Sequence, residues 1–229
     1  MKEFTRVDKE AFLIRSSFCR GLAPEIITDL AVISTLVTFP ETTVVSSLGD
    51  GYADVLFVVS GLLRVSTGSS SGRRITILLV KTGECYNLLS PYLFHPRSLE
   101  TQALETTRCL MVKAADFISF VENHPAIISN LLQIIGLAFD SANSRILEFM
   151  EKNVKNRIMR VLSTLHGKFG SPLHFTSVEI SEIAGTTPES TLRAMGRLRD
   201  QGIIETQRGQ IKILDPKAID DMEFGDLSI

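Results

Sequence analysis

A short stretch near the C-terminus brings an acid, a leucine and two arginines within a few residues of one another. Glu189, Leu192, Arg193 and Gly196 recur at a spacing that puts them on one face of a helix. A carboxylate accepts from the amino group of cytosine, a guanidinium presents forked donors to guanine, and a leucine can lie against a thymine methyl. Thr187 is placed to cap the helix start, with Pro188 at its first position. Ser190, near that start, can hold a phosphate, and Arg197, one turn beyond Arg193, is the candidate for a backbone contact that positions the rest. Thr191, Ala194, Met195 and Leu198 fall on the opposite face and are expected to pack.

Such a helix needs a support. Upstream, Thr176 and Glu179 have capping-box spacing, Val178, Ile180, Ile183 and Ala184 supply apolar positions, and Gly185 can take the positive φ of a tight turn. Two helix starts this close together predict a helix-turn-helix. Downstream, Gly202 ends the second helix, and Ile203–Thr206 and Gln210–Ile213 flank a turn at Gln207-Arg208-Gly209, which predicts a β-hairpin wing. The run IAGTTPESTLRAMGRL, with the following GII and the wing, resembles the C-terminal domain of the cyclic-AMP receptor protein and fumarate/nitrate regulator superfamily. The resemblance implies base contacts for Glu189 and Arg193, double-stranded DNA and RNA polymerase as partners, and an α+β architecture. That architecture comprises an N-terminal β jelly-roll sensor, a long dimerisation helix and a C-terminal winged helix-turn-helix. Leu192 and Pro188 depart from the better-known members, so the operator sequence is not inherited.

The 229 residues, 44% hydrophobic and 22% charged, are enough for two cores. The net charge of −2 is unevenly distributed: residues 151–212 hold ten Lys and Arg against six Asp and Glu, between acidic neighbours. This predicts salt-sensitive DNA binding of moderate strength. The runs VLFVV at 55–59 and ITILLV at 75–80 are too short to cross a bilayer and no leader pattern is seen, so the expectation is a cytoplasmic protein with no membrane partner. Cys19, Cys85 and Cys109 are scattered, without a CxxC pair, and are expected to be buried thiols rather than ligands of zinc or an iron–sulfur cluster.

Along the chain, residues 1–17 are weakly patterned and read as a lead-in strand or partly loose chain. Phe18–Leu36, opened by Pro24-Glu25, reads as a short helical segment, and Val37–Val112 as evenly punctuated strands of an antiparallel sandwich or barrel, with Thr67–Arg74 as a hairpin loop. Asp116–Glu122 forms a short helix. From Ala126 to about Lys152, Ile128, Ile135, Ala142 and Phe149 recur every seven residues with Leu131, Ala138 and Arg145 between them, the pattern of a coiled-coil seam joining two copies of the chain. An amphipathic helix over Asn153–Phe169 starts the DNA-binding part. The expected division is a sensor over 1–124, the dimerisation helix over 125–152 and the winged domain over 153–229, with a hinge near Lys152-Asn153.

Members of the superfamily that bind cyclic AMP use a Gly-Glu pair and an Arg-Ser pair in the sensor and hydroxyls on the long helix. Arg97-Ser98 fits the Arg-Ser pair, whereas Asn87-Leu88 replaces Gly-Glu and Ala142-Asn143 replaces the hydroxyl pair. These six residues are the candidate effector contacts, and the substitutions disfavour cyclic AMP because ligand polar groups would be buried unpaired. Arg97 suits a carboxylate or another small anion. A second reading is a haem-based gas or redox sensor with His95 as the candidate ligand. A third, a cupin-type metal enzyme, needs several histidines on the strands where this chain has only His95, so no enzyme is expected.

Overall fold

A computed structural model describes residues 4–51, 53–68, 74–93 and 99–220. The chain divides into two compact units, one running to Thr67 and resuming over Ile77–Asp140, the other made of Gly68–Thr76 and the chain from Ser141 onward.

The first unit opens with a helix, α1 (Arg6–Leu13), where the weak pattern had suggested a strand or loose chain. The signal for it is a capping box: Thr5 N–H donates to Asp8 Oδ2 at 2.9 Å, and Asp8 N–H donates to Thr5 Oγ1 at 3.3 Å. Helix α2 (Pro24–Ile33) starts with proline in its first turn. It stops three residues short of Leu36, because Ser34 begins strand β1 (Ser34–Phe39) and Leu36 pairs with Leu110.

Strands β2 (Val44–Ser46), β3 (Val55–Ser60), β4 (Leu62–Gly68), β5 (Arg74–Lys81), β6 (Cys85–Tyr86), β7 (Glu100–Ala103) and β8 (Thr107–Val112) complete the barrel. They form two four-stranded sheets, ordered β1-β8-β3-β6 and β2-β7-β4-β5. The continuous apolar run of β3 follows from burial on both faces: Leu56 and Val58 meet Leu63, Val65 and Cys109 on one side, while Val55 and Phe57 meet Phe18, Leu110 and Phe117 on the other. The Phe18 ring lies 5.4 Å from Phe57 and 5.7 Å from Phe117, joining the sheet to helix α3 (Ala114–Asn123). Between β3 and β4, Gly61 has φ +100°, and a Cβ there would fall 2.7 Å from Thr107 Cα, so the corner requires glycine.

Helix α4 (Ile127–Met150) is one continuous helix, and the division between the two units falls within it. Ile127 and Leu131 are buried in the sensor core. In the second unit, α5 (Val154–Phe169) is capped by Asn153, whose side chain accepts from Lys155 N–H at 3.0 Å; the expected hinge residues Lys152-Asn153 lie in the break between α4 and α5. Helices α6 (Ser177–Ala184) and α7 (Pro188–Asp200) follow, then strands β9 (Ile204–Gln207) and β10 (Gln210–Ile213), paired antiparallel. Leu173 exchanges backbone hydrogen bonds with Ile211 at 2.8 Å each way and widens this small sheet. The last described element, α8 (Pro216–Asp220), tucks Ile219 into the core. Among the described residues no helix is long and apolar enough to cross a membrane.

Candidate nucleic-acid interface and sensor site

The helix-turn-helix is built by short-range hydrogen bonds. Thr176 N–H donates to Glu179 Oε2 at 2.7 Å, and Glu179 N–H donates to Thr176 Oγ1 at 3.2 Å, closing the capping box of α6. Gly185 ends α6 in the left-handed conformation, φ 60° and ψ 42°. Two residues on, Thr187 Oγ1 accepts from Ser190 N–H at 3.3 Å and Pro188 occupies the first helical turn of α7.

The helical spacing of α7 resolves into two faces. Thr191, Ala194, Met195 and Leu198 are buried, with Ile180, Ile183 and Ala184 of α6 also in the core. Glu189, Leu192, Arg193 and Arg197 are exposed, and Thr187 and Ser190 are half-buried at the helix start. Leu192 is 58% exposed, so a large apolar side chain stands in water between an acid and a base. Its solvation is costly unless a partner covers it. The Glu189 carboxyl is held below the usual carboxylate range by its own backbone N–H and then by the Thr187 hydroxyl, which keeps it an ionised acceptor. Arg197 and Arg199 lie in the last turn, where cations suit the helix dipole.

Beside this face runs a groove of about 370 Å³ between α7 and the wing, lined by Thr176, Leu192, Gly196, Arg199, Arg208 and Gln210 among others. Arg199 and Arg208 were not among the residues singled out from sequence. The available signal was the Arg208-Gly209 wing tip, where Gly209 takes φ +70° and leaves the exposed arginine beside it at the apex of the hairpin.

The sensor residues are placed differently. Asn87 is buried, has φ +71°, donates from Nδ2 to the Asp54 carbonyl at 3.0 Å, and accepts from the Ser90 hydroxyl. Asp54 in turn accepts from Lys113 Nζ at 2.8 Å and from Ala114 N–H at 3.1 Å, so this network fixes the start of α3. Leu88, only 6% exposed, packs in the core with Phe18 and Phe57. In Asn87 and Leu88, two of the candidate effector contacts, the amide is engaged by its own chain and the leucine is enclosed by apolar side chains. Ala142 and Asn143 are exposed on α4, and His95, Arg97 and Ser98 lie outside the described residues.

The seam residues also divide. Ile128, Ala138 and Ala142 are exposed and Ile135 is half-buried, but Leu131 belongs to the sensor core of its own chain. Arg145 donates from Nη2 to the Ile183 carbonyl and lies 4.9 Å from the Phe149 ring centre, and both side chains are half-buried. The exposed apolar stripe of α4 instead runs through Ile128, Leu132, Phe139, Ile146 and Met150. Leu132, Phe139 and Ile146 alternate four and three residues with Ile128, Ile135 and Ala142, as Leu131, Ala138 and Arg145 alternate three and four; Leu131 is enclosed by the sensor core, while Leu132, Phe139 and Ile146 are exposed.

All three cysteines are thiols in apolar surroundings. Burial pushes Cys19 up to about 11 and Cys85 and Cys109 up to about 12. Among the described residues, no three His, Cys, Asp or Glu side chains are grouped so as to hold a metal ion.

A barrel of the cyclic-nucleotide-binding kind in the same chain as a winged helix-turn-helix defines a DNA-binding transcription regulator with a sensor domain. Residues 156–222 match the Crp-like helix-turn-helix domain and residues 36–124 match the cyclic nucleotide-binding domain. The chain belongs to the Crp/Fnr superfamily of transcription regulators. It is 23% identical over 212 residues to a cyclic AMP receptor protein of Thermus thermophilus, covering 92% of this chain and 98% of that one. Its fold is shared with the c-di-GMP-responsive regulator CLP of Xanthomonas campestris, at TM-score 0.76 and 14% identity over 84% of this chain and 100% of that one. It is shared also with FixK2 of Bradyrhizobium japonicum, at TM-score 0.75 and 18% identity over 85% and 99%. The family is one of regulators rather than of catalysts.

Proposed function

We propose that the protein acts as a homodimer on a two-fold symmetric operator, with Glu189, Leu192 and Arg193 meeting base edges and Arg197, Arg199, Arg208 and the helix-start hydroxyls of Thr187 and Ser190 meeting the backbone. The observation that carries this reading is the pairing on α7 of a fully packed rear face with an exposed face of acid, leucine and arginines. The apolar stripe of α4 supports the second copy: Leu132 is 63% and Phe139 66% exposed, at coiled-coil spacing with Ile128 and Ile146. Selection from random duplexes tests both parts. It should return inverted repeats with half-site centres about 10 base pairs apart or a multiple of that. Asymmetric or unenriched sequences would overturn the proposal.

The effector we propose is a small organic anion other than cyclic AMP, held by Arg97 and Ser98, with bound protein contacting RNA polymerase at the promoter. The support is chemical: the position that would offer a carboxylate to a ribose holds Asn87, whose amide already serves the Asp54 loop. Thermal-shift screening of carboxylates and cyclic nucleotides against wild type and Arg97→Ala checks it. Stabilisation by cyclic AMP, or a Soret band on supplying haem, would point to another effector.

A further inference from the structure

We propose that Arg145 and Phe149 form a clamp on the turn of the helix-turn-helix, and that this clamp competes with the dimer seam for Phe149 and so restrains the reading helix. The proposal rests on the homodimer reading above. Every residue of the clamp lies in the second unit.

Two contacts make the clamp. The Phe149 ring occupies the space where Gly185 lacks a side chain: a Cβ on Gly185 would fall 2.7 Å from Cε1 and 3.0 Å from Cδ1 of that ring. Gly185 is therefore required twice over, for its positive φ and for the ring seated against it. One turn earlier on α4, the Arg145 guanidinium stacks on the same ring, 4.9 Å from its centre. Its Nη2 donates to the Ile183 carbonyl, and also to the Thr76 carbonyl at 3.1 Å. Ile183 is next to the last residue of α6, where carbonyls have no partner within the helix, so the cation satisfies an orphan acceptor at the negative end of the helix dipole. The end of α4 thus caps α6 and fills the turn between α6 and α7.

The competition follows from phase. Phe149 lies seven residues beyond Ala142, fourteen beyond Ile135 and twenty-one beyond Ile128, the positions that alternate with Leu132, Phe139 and Ile146 along the exposed stripe. Extending the seam to its last turn calls for the Phe149 ring as a knob against the second copy. The same ring cannot also sit on Gly185. Full pairing of α4 and clamping of the turn are then alternative states, and a ligand that favours full pairing releases α7.

Phe149→Leu separates the two roles, since leucine serves a seam but does not reproduce the ring on Gly185 or the stack under Arg145. In the full-length protein without added ligand, Phe149→Leu and Arg145→Met should each remain dimeric by sedimentation. The Gly185 and Thr186 amides should exchange about tenfold faster, and affinity for the selected operator should rise about three- to tenfold. Unchanged exchange in both variants would mean the clamp is not formed in solution, and faster exchange with unchanged or weaker binding would make it a scaffold and not a restraint; either result overturns the proposal. Loss of the dimer in Phe149→Leu would also overturn it, by giving the ring to the seam. Leu132→Glu tests the underlying dimer separately: if that variant still sediments as a dimer, the seam is wrong while the exchange result on Gly185 stands.

Discussion

The exposed face of α7 and the turn at residues 87–90 are both rich in polar groups, yet they are built to opposite ends. On α7 the packing atoms are all behind the helix, and Arg193, Arg197 and Leu192 project into solvent with their capacity for contact directed outward. At 87–90 the polar atoms point inward: Asn87 ties the Asp54 loop, Ser90 ties Asn87, and Leu88 is sealed in the core. A surface that recognises a partner leaves donors and apolar area without internal satisfaction, whereas a surface that holds a fold together consumes them. Leucine therefore stands in solvent beside charged groups at position 192 and seals the core beside an engaged amide at position 88.

Two leucines give the strongest test of that contrast. Leu88→Ala opens a cavity in the sensor core and should cost about 2–5 kcal/mol of unfolding free energy, read by denaturant titration, whatever ligand is present. If the sensor stays as stable while ligand binding falls, Leu88 belongs to a pocket after all and the contrast fails. Next in size is Arg193→Ala, expected to weaken operator binding by about 1–3 kcal/mol and to blur one base pair of the selected sequence. A uniform loss over all sequences would reassign Arg193 to a phosphate. Glu189 should behave as a fixed acceptor: its carboxyl is held below the ordinary value, so the ionised form persists as pH falls, and any preference it enforces should be constant from about pH 8 to 5. A preference that titrates within that range would remove Glu189 from the base edge.

What could be seen in the sequence tracks how local the determinants are. Thr176 with Glu179, Gly185, and Thr187 with Pro188 fix the helix-turn-helix through contacts no more than a few residues apart, and residue order alone displays them. The capping box of Thr5 and Asp8 is equally local, but α1 carries only one buried residue, Leu13, and without an apolar period a capping box alone does not mark a helix. The choice between Leu131 and Leu132 was not local at all. Both satisfy a heptad, and only the packing of Leu131 against a sensor core assembled from distant strands decides which one faces out. The roles of Asn87 and Arg145 depend likewise on partners far along the chain, Asp54 and Ile183, which no spacing rule connects.

Smaller effects sharpen the same comparison. Thr176→Ala removes the cap that starts α6 and should cost about 0.5–2 kcal/mol in the winged unit alone, with unchanged sequence preference, because Thr176 positions the reader without being its reading edge. The smallest expected change in stability is that of Leu192→Ala. With 58% of its surface in water, Leu192 contributes little to the folded core, and the variant should unfold within about 0.5 kcal/mol of the parent. Its loss should appear instead in DNA binding, as weaker discrimination for thymine over cytosine at one position, since only the thymine methyl offers an apolar contact in the major groove. Replacing that thymine by uracil removes the methyl and should weaken binding by the parent protein while leaving binding by the variant unchanged. Equal losses in both would show that Leu192 lies off the base edge, leaving Glu189 and Arg193 to carry the recognition by themselves.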